Sequence, residues 1–480
     1  MLFWSRNGVC SNNRPAQKKK SFTVQRGAVA VTLICCAGVV VHAQGVPSAE
    51  ESPSGLLATF DVSQRLEYSD NPDLDVDGTS DFYGRTVLDF GLESVTNIQR
   101  FSLNLGTDIE EFREDNPNSF DFTNTFATLS YDRTTRNAFF GADARYRESD
   151  TDSTFSDEDF DQDSSIINQD SGTRVSYGFA LGGAVGEEGP LGASFDWDYN
   201  EIRFRDTDDP GLSDSTQNDI SGQVDFRINP RITLGLTAGY NNFTTEAVDG
   251  TNRKTRRLGL ATELELSSVL TVDAELSHDR IERTGGTERD DDGISGEIEF
   301  TRALPNGTIG LRYASEVFAN VDGRRSFLSV SRDMDLPRGA LAVSLGVTGT
   351  DAVGSDPLVE IDYIYELPAA QLSFGLSQRV VVDEDDNEDI NTSLRAAYDQ
   401  EINSLSSFGI SVDFFDRNEL GDGNNDGQRL DVELVYRHDL TRDWALESGI
   451  AHTFETEDNE ENRSRTTLFV GLERSFSFSP

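Results

Sequence analysis

The sequence predicts an all-β protein: a transmembrane, antiparallel, up-and-down β-barrel of about 22 strands, within a range of roughly 20 to 22. Three observations predict it. Apolar and polar residues alternate with period two from Leu56 to the C-terminal end. The connections between these segments alternate between short and long. Finally, the chain is polar on average, with 36% hydrophobic residues and a mean hydropathy of −0.48, yet it carries Phe 30, Tyr 12 and Gly 41. Disordered chains are poor in aromatics; many strands and many turns use both residue classes.

The first element is a targeting segment. Arg6, Arg14, Lys18, Lys19, Lys20 and Arg26 form a basic region without an acid, followed by the apolar run 27–41 and the small-residue site Val41-His42-Ala43. This order of basic, apolar and cleavable parts predicts a secretory signal peptide over 1–43. Cys35 and Cys36 raise a lipoprotein signal as the alternative, which the bulky residues before them disfavour. Cleavage after Ala43 removes all three cysteines, which excludes disulfides and Cys-ligated zinc from the mature chain. It also leaves 35 basic against 86 acidic residues, with Lys254 the one remaining lysine. A basic nucleic-acid-binding face is therefore excluded. A short periplasmic segment, 44–55, is expected to lead into a barrel over 56–480.

Within the barrel, "DISGQVDFRI" places Ile220, Val224, Phe226 and Ile228 on one side and Asp219, Ser221, Gln223, Asp225 and Arg227 on the other. "RITLGLTAGY" and "LGASFDWDY" repeat the pattern. One apolar face per strand is the period of a half-buried sheet. Segments of roughly ten to fourteen residues have the length of a tilted membrane-crossing strand.

Connection length carries the topology. Short connections include 96–99, 187–190, 229–230, 305–307, 337–339 and 441–443; long ones include 69–80, 149–170, 205–216, 383–389 and 456–462. A soluble sandwich has no reason to sort its loops by parity, whereas an outer-membrane barrel puts short turns in the periplasm and long loops outside. The strict alternation thus favours the barrel over a β-sandwich or a secreted acidic β protein. Tyr68, Phe82, Tyr83, Phe139, Phe140, Phe414, Phe415 and Trp444, near strand ends, are expected at the membrane interfaces. The final strand, "TTLFVGLERSFSFSP", is expected to present Leu468, Val470, Leu472, Phe476 and Phe478 to lipid and to engage the barrel-assembly machinery, with Ser479 and Pro480 displacing the usual terminal aromatic.

"FDVSQRLEYSDNPDL" (60–74) and "LDFGLESVTNIQRFSLNLG" (88–106) resemble segments of the β-barrel porin 2 family. That resemblance implies a Gram-negative outer-membrane barrel, in some cases linked to exopolysaccharide export and so to polysaccharide export components as partners. It implies no catalytic or ligand residues.

The polar faces name the candidate pore lining: Asp219, Asp225, Arg227, Glu263, Glu265, Glu297, Glu299, Arg312, Glu360, Asp362 and Glu433. An excess of carboxylates with interspersed arginines favours cations over anions in a lumen; the same residues could equally form a lattice of ion pairs that stiffens the wall. Few aromatics are expected on this face, which favours a general pore for small solutes over a sugar conduit. The longest acidic connection, 149–170, is the candidate for an inward-folded loop. With only 44–55 ahead of the first strand, a separate plug domain is not expected.

"GDGNNDGQRLDVE" (421–433) matches the D-x-[DN]-x-[DN]-G-x5-E calcium loop, with Asp422, Asn424, Asp426, Gly427 and Glu433 at its first, third, fifth, sixth and twelfth positions. A strand beginning at Gln428 would carry Glu433 about 17 Å away, too far for ligands that must converge within about 2.6 Å of the ion. Loose Ca2+ binding by the loop acids Asp422, Asn424 and Asp426, and by Asp73, Asp75 and Asp77 in "DLDVDG", remains a weaker expectation, as does sharing of such ions with lipopolysaccharide; solvated acidic loops are the plain alternative. Catalysis has little support: His278, His438 and His452 lie in strand patterns and no nucleophile elbow occurs. The rival to a pore is a closed surface barrel whose loops bind ions, lipopolysaccharide or other cells.

Overall fold

Period-two alternation closes on itself in the computed structural model. It describes residues 55–479, apart from 77, 114–115, 152–171, 187–188, 208–211, 248–249, 286–288, 318–323, 351–353, 383–387, 421–425 and 458–460. Within these, 22 antiparallel strands, β1 (Gly55–Ser69) to β22 (Arg463–Phe478), pair each with its chain neighbours. β1 also pairs with β22, from Ala58 opposite Phe478 to Ser69 opposite Thr467. Closure leaves no unpaired strand edge, which hydrocarbon would not tolerate.

Residues opposite each other in register share a face, so the pairing assigns every strand position to lipid or lumen. Leu236 faces Leu260, which faces Leu276; Val330 faces Leu311 and Leu345. These side chains are 44–60% exposed in the isolated chain. An apolar face left open to this extent around a closed sheet is the surface that lipid covers. The chain is an outer-membrane β-barrel of the Gram-negative kind.

Strand lengths run from 11 residues in β13 (Gly307–Val317) to 19 in β4 (Asn116–Thr134); ten strands have the ten to fourteen residues that the sequence predicts and twelve are longer. The alternation of connection lengths is correspondingly looser. On the long-loop side, β3 (Gln99–Arg113) and β4 are separated only by 114–115, and β15 (Gly339–Thr350) and β16 (Gly354–Leu367) by 351–353. The ladders run out to Arg113 opposite Asn116 and to Thr350 opposite Gly354. On the short side the turns hold: Thr96 and Gln99 close one across Thr96 N–H to Gln99 O at 2.8 Å. Gly307 (φ +122°) opens β13 after another; a Cβ there would lie 2.0 Å from the Asp333 carbonyl oxygen.

Aromatic doublets are corrected by the same geometry. Tyr68, Phe82, Phe140 and Trp444 are 40–53% exposed on the outer face. Tyr83 and Phe415, at 5% and 6%, point into the lumen, and Phe139 shares the lumen-facing parity of Gly141 and Asp143. Adjacent strand residues cannot both face lipid. In β22, Arg474 interrupts the lipid face near the periplasmic end. Its guanidinium lies 4.4 Å from the Phe476 ring centroid and 5.1 Å from that of Trp444, the arrangement by which an arginine keeps its charge at the interface.

Candidate functional site

The lumen wall is the candidate site, because it gathers the polar half of every strand. All candidate lining residues have inward parity. Asp219 and Asp225 lie on β8 (Ser215–Asn229) and are buried; Arg227 beside them donates to the Gly189 carbonyl at 2.7 Å. Glu263 and Glu265 lie on β10 (Thr251–Ser267), and Glu297 and Glu299 on β12 (Arg289–Leu304). Arg312 lies on β13, Glu360 and Asp362 on β16, and Glu433 on β20 (Gly427–Asp439). Glu360 opposes Ser344 and Asp362 opposes Ala342, which puts both on the face opposite the lipid-exposed Leu345 and Val347.

Two zones divide this wall along the barrel axis. In the half nearer the outer loops, carboxylates meet arginines. On β11 (Leu270–Gly285), Asp279 is 1% exposed and accepts two parallel hydrogen bonds from Arg257, at 2.8 and 3.0 Å. Ser277 and Ser295 donate to it at 3.1 and 2.6 Å. Arg85 holds Glu110 at 2.7 Å and Glu67 at 3.6 Å. Arg429, 2% exposed, lies 2.9 Å from Asp431 and 3.7 Å from Glu455; Arg417 lies 3.4 Å from Glu457. Charges taken out of water persist only when paired in this way.

Aromatic rings stand among these pairs. Phe204, Phe243, Phe327 and Phe469 share the inward face with Tyr83 and Phe415. Arg253 lies over the Phe243 ring at 5.1 Å, Arg65 over Phe469 at 5.1 Å and Arg85 over Tyr83 at 5.9 Å. The expectation of few lumen aromatics is thus corrected. Several of these phenylalanines stand at a strand's outer end, beyond the segments in which the sequence alternation is cleanest.

In the half nearer the periplasmic turns, carboxylate meets carboxylate. Glu263 opposes Asp273, and Asp273 opposes Glu299, in one row across β10, β11 and β12. The next inward row sets Glu275 opposite Glu297. Asp61 opposes Asp89 on β1 and β2 (Asp81–Val95). Arginine is present but sparser: Arg312 forks onto Glu297 at 2.7 and 2.9 Å, and Arg437 pairs with Glu473. Arg65 reaches down to Glu447 at 2.9 Å across β22. Like charges placed directly opposite each other destabilise a sheet, so these rows are not explained by the stability of the wall.

Histidines stand elsewhere. His278 opposes Leu258 and Ile294, His438 opposes Leu446, and His452 opposes Val432, so all three have the parity of the lipid face.

The loop after β1 is organised by Asn71. Its carboxamide donates to the Asp75 and Ser464 carbonyls at 2.7 and 3.0 Å and accepts from the Asp75 N–H at 3.0 Å. Leu74, at φ +53°, is buried and donates its N–H to the Asn71 carbonyl at 3.2 Å, while Asp73 and Asp75 are exposed. Among the described residues no group of three or more His, Cys, Asp or Glu side chains could hold a metal ion. Asp426 immediately precedes β20; Asp77, Asp422 and Asn424, and the 149–170 loop beyond Thr151, lie outside the described residues. Glu433 sits within β20 opposite Ser411 and Ala451, away from the loop that the calcium pattern would need it to join.

A closed 22-stranded barrel with a polar lumen defines the class: an outer-membrane barrel protein. Among solved structures, the siderophore receptor PirA from Acinetobacter baumannii is similar at a TM-score of 0.52 and 9% identity, covering 87% of this chain and 80% of that one. A variant of the ferric enterobactin receptor from Pseudomonas aeruginosa, in complex with enterobactin, is similar at a TM-score of 0.50 and 10% identity, covering 87% and 81%. At such identities the likeness is one of fold. No protein-family model and no curated protein matches the chain; of the resemblance drawn from 60–74 and 88–106, the outer-membrane barrel is the part with support.

Proposed function

We propose that the protein is a cation-leaning pore for passive diffusion of small solutes across the outer membrane. The observation that carries this reading is the excess of carboxylates on the lumen wall, the Glu263–Asp273–Glu299 row and Glu275 beside it, against the one guanidinium of Arg312 held on Glu297. Opposed carboxylates cost sheet stability, yet in a water-filled lumen they lower the barrier for cations and raise it for anions. Exchange of Glu297→Gln together with Glu299→Gln is expected to shift the reversal potential under a salt gradient toward that of an unselective pore. An unchanged reversal potential from the folded variant would remove these residues from the selectivity mechanism.

Two further readings each have an observation in their favour. Passage of an exported polysaccharide gains from the inward rings of Phe204, Phe243, Phe327 and Phe469, since aromatic faces stack on sugar rings. A closed surface barrel gains from the buried ion pairs at the outer end, where Arg417, Arg429 and Asp279 are at most 2% exposed. Block of the single-channel current by a soluble acidic oligosaccharide would favour the first. Silence of a folded barrel would favour the second.

A further inference from the structure

We infer that the lumen is electrically polarised along its axis, with the cation filter confined to the periplasmic half, so that the pore conducts more readily in one direction than in the other. This rests on the pore reading above. The two zones meet on one strand, β11: Asp273 lies between Glu263 and Glu299, while Asp279 is locked by Arg257 and two serines. These positions are separated by about 20 Å of strand. A bidentate carboxylate–guanidinium pair presents little net charge to a passing ion; three carboxylates in a row, with the single cation Arg312 opposite Glu299 at its end, keep a negative excess. The fixed charge that an ion meets therefore changes from compensated to net negative along its path.

Screening turns this gradient into a measurable behaviour. At physiological ionic strength the Debye length is about 8 Å, shorter than the separation of the zones, so each zone acts alone and the periplasmic one sets selectivity. At about 0.01 M salt the Debye length is about 30 Å. The acidic zone then enriches cations over a large part of the lumen from one end only. Current carried toward the enriched end and current carried away from it should differ.

The test uses the full-length mature barrel in planar bilayers, with potassium chloride equal on both sides. At about 0.01 M the ratio of currents at opposite polarities is expected to be about two or more, falling to about one at about 1 M, where the Debye length is about 3 Å. The combined variant Glu263→Gln, Asp273→Asn, Glu299→Gln is expected to lose both the rectification and the cation preference. Asp273→Asn alone should lose part of each, and serves if the triple variant does not fold. The variant Arg85→Gln with Glu110→Gln, which leaves the net charge of the outer half unchanged while Glu67 loses its 3.6 Å contact with Arg85, is expected to leave both intact; heat-modifiable migration confirms folding throughout. Cation-selective but symmetric current in the unaltered protein at low salt would overturn the inference and leave the pore reading standing. Rectification that follows the Arg85 and Glu110 variant would place the filter in the wrong half. No conductance from folded barrel would overturn both the inference and the pore reading.

Discussion

The two halves of the lumen are built from the same strands and the same residue types, yet their charges are disposed in opposite ways. Toward the outer loops, Asp279, Glu455, Arg417 and Arg429 are almost wholly buried and each carries an oppositely charged neighbour. Toward the periplasmic turns, Arg312 and Glu297 remain 41% and 38% exposed even while paired, and Asp273 sits between two other carboxylates. The difference separates two uses of charge. Buried pairs fix a structure, because breaking one strands a charge; wetted rows of like charge fix none, and their cost is tolerated because water and counter-ions screen them. On the pore reading proposed above, the outer half would stiffen the barrel and the periplasmic half would act on what passes through it.

Substitutions in the two halves should therefore differ in both size and sign. The largest effect is expected from Asp279→Ala, which strands the Arg257 guanidinium and the Ser277 and Ser295 hydroxyls. Arg257 is one-third exposed, so the loss is expected near about 3 kcal/mol, at the low end for a broken buried pair, read as a shift of the denaturant midpoint for unfolding in lipid. A loss below about 1 kcal/mol would mean that the outer half is not held by its ion pairs. Arg312→Gln, which breaks a pair of comparable geometry in the wetted half, should cost less than about 1 kcal/mol in the same assay. Glu263→Gln is expected to have the smallest effect and the opposite sign. Relief of the repulsion with Asp273 should stabilise the barrel by about 0.2–1 kcal/mol, and a clear destabilisation would show that Glu263 holds the wall together.

Much of the architecture was legible in the sequence, and for a definite reason. A strand with one face in lipid must show its apolar residues at every second position, so Ile220, Val224 and Phe226 marked β8 without knowledge of its neighbours. The inward face of each candidate lining residue followed from the same parity. Height along the axis did not, and neither did partners. Arg65 and Glu447 are 382 positions apart, and nothing local to either announces that barrel closure places them side by side. Doublets such as Phe82–Tyr83 read as interfacial pairs until the pleat is imposed and one member turns inward. The calcium-like spacing at 421–433 misleads for a related reason: a pattern written as consecutive letters takes no account of the strand that begins at Gly427 and carries Glu433 away.

The most direct measurement is the reversal potential of single channels formed by the refolded mature protein under a gradient of potassium chloride. Stable open steps and a potential displaced toward that of potassium are expected if the Glu263–Asp273–Glu299 row lines a conduction path, as proposed. A potential at zero or displaced toward chloride, from channels of unaltered sequence, would contradict it.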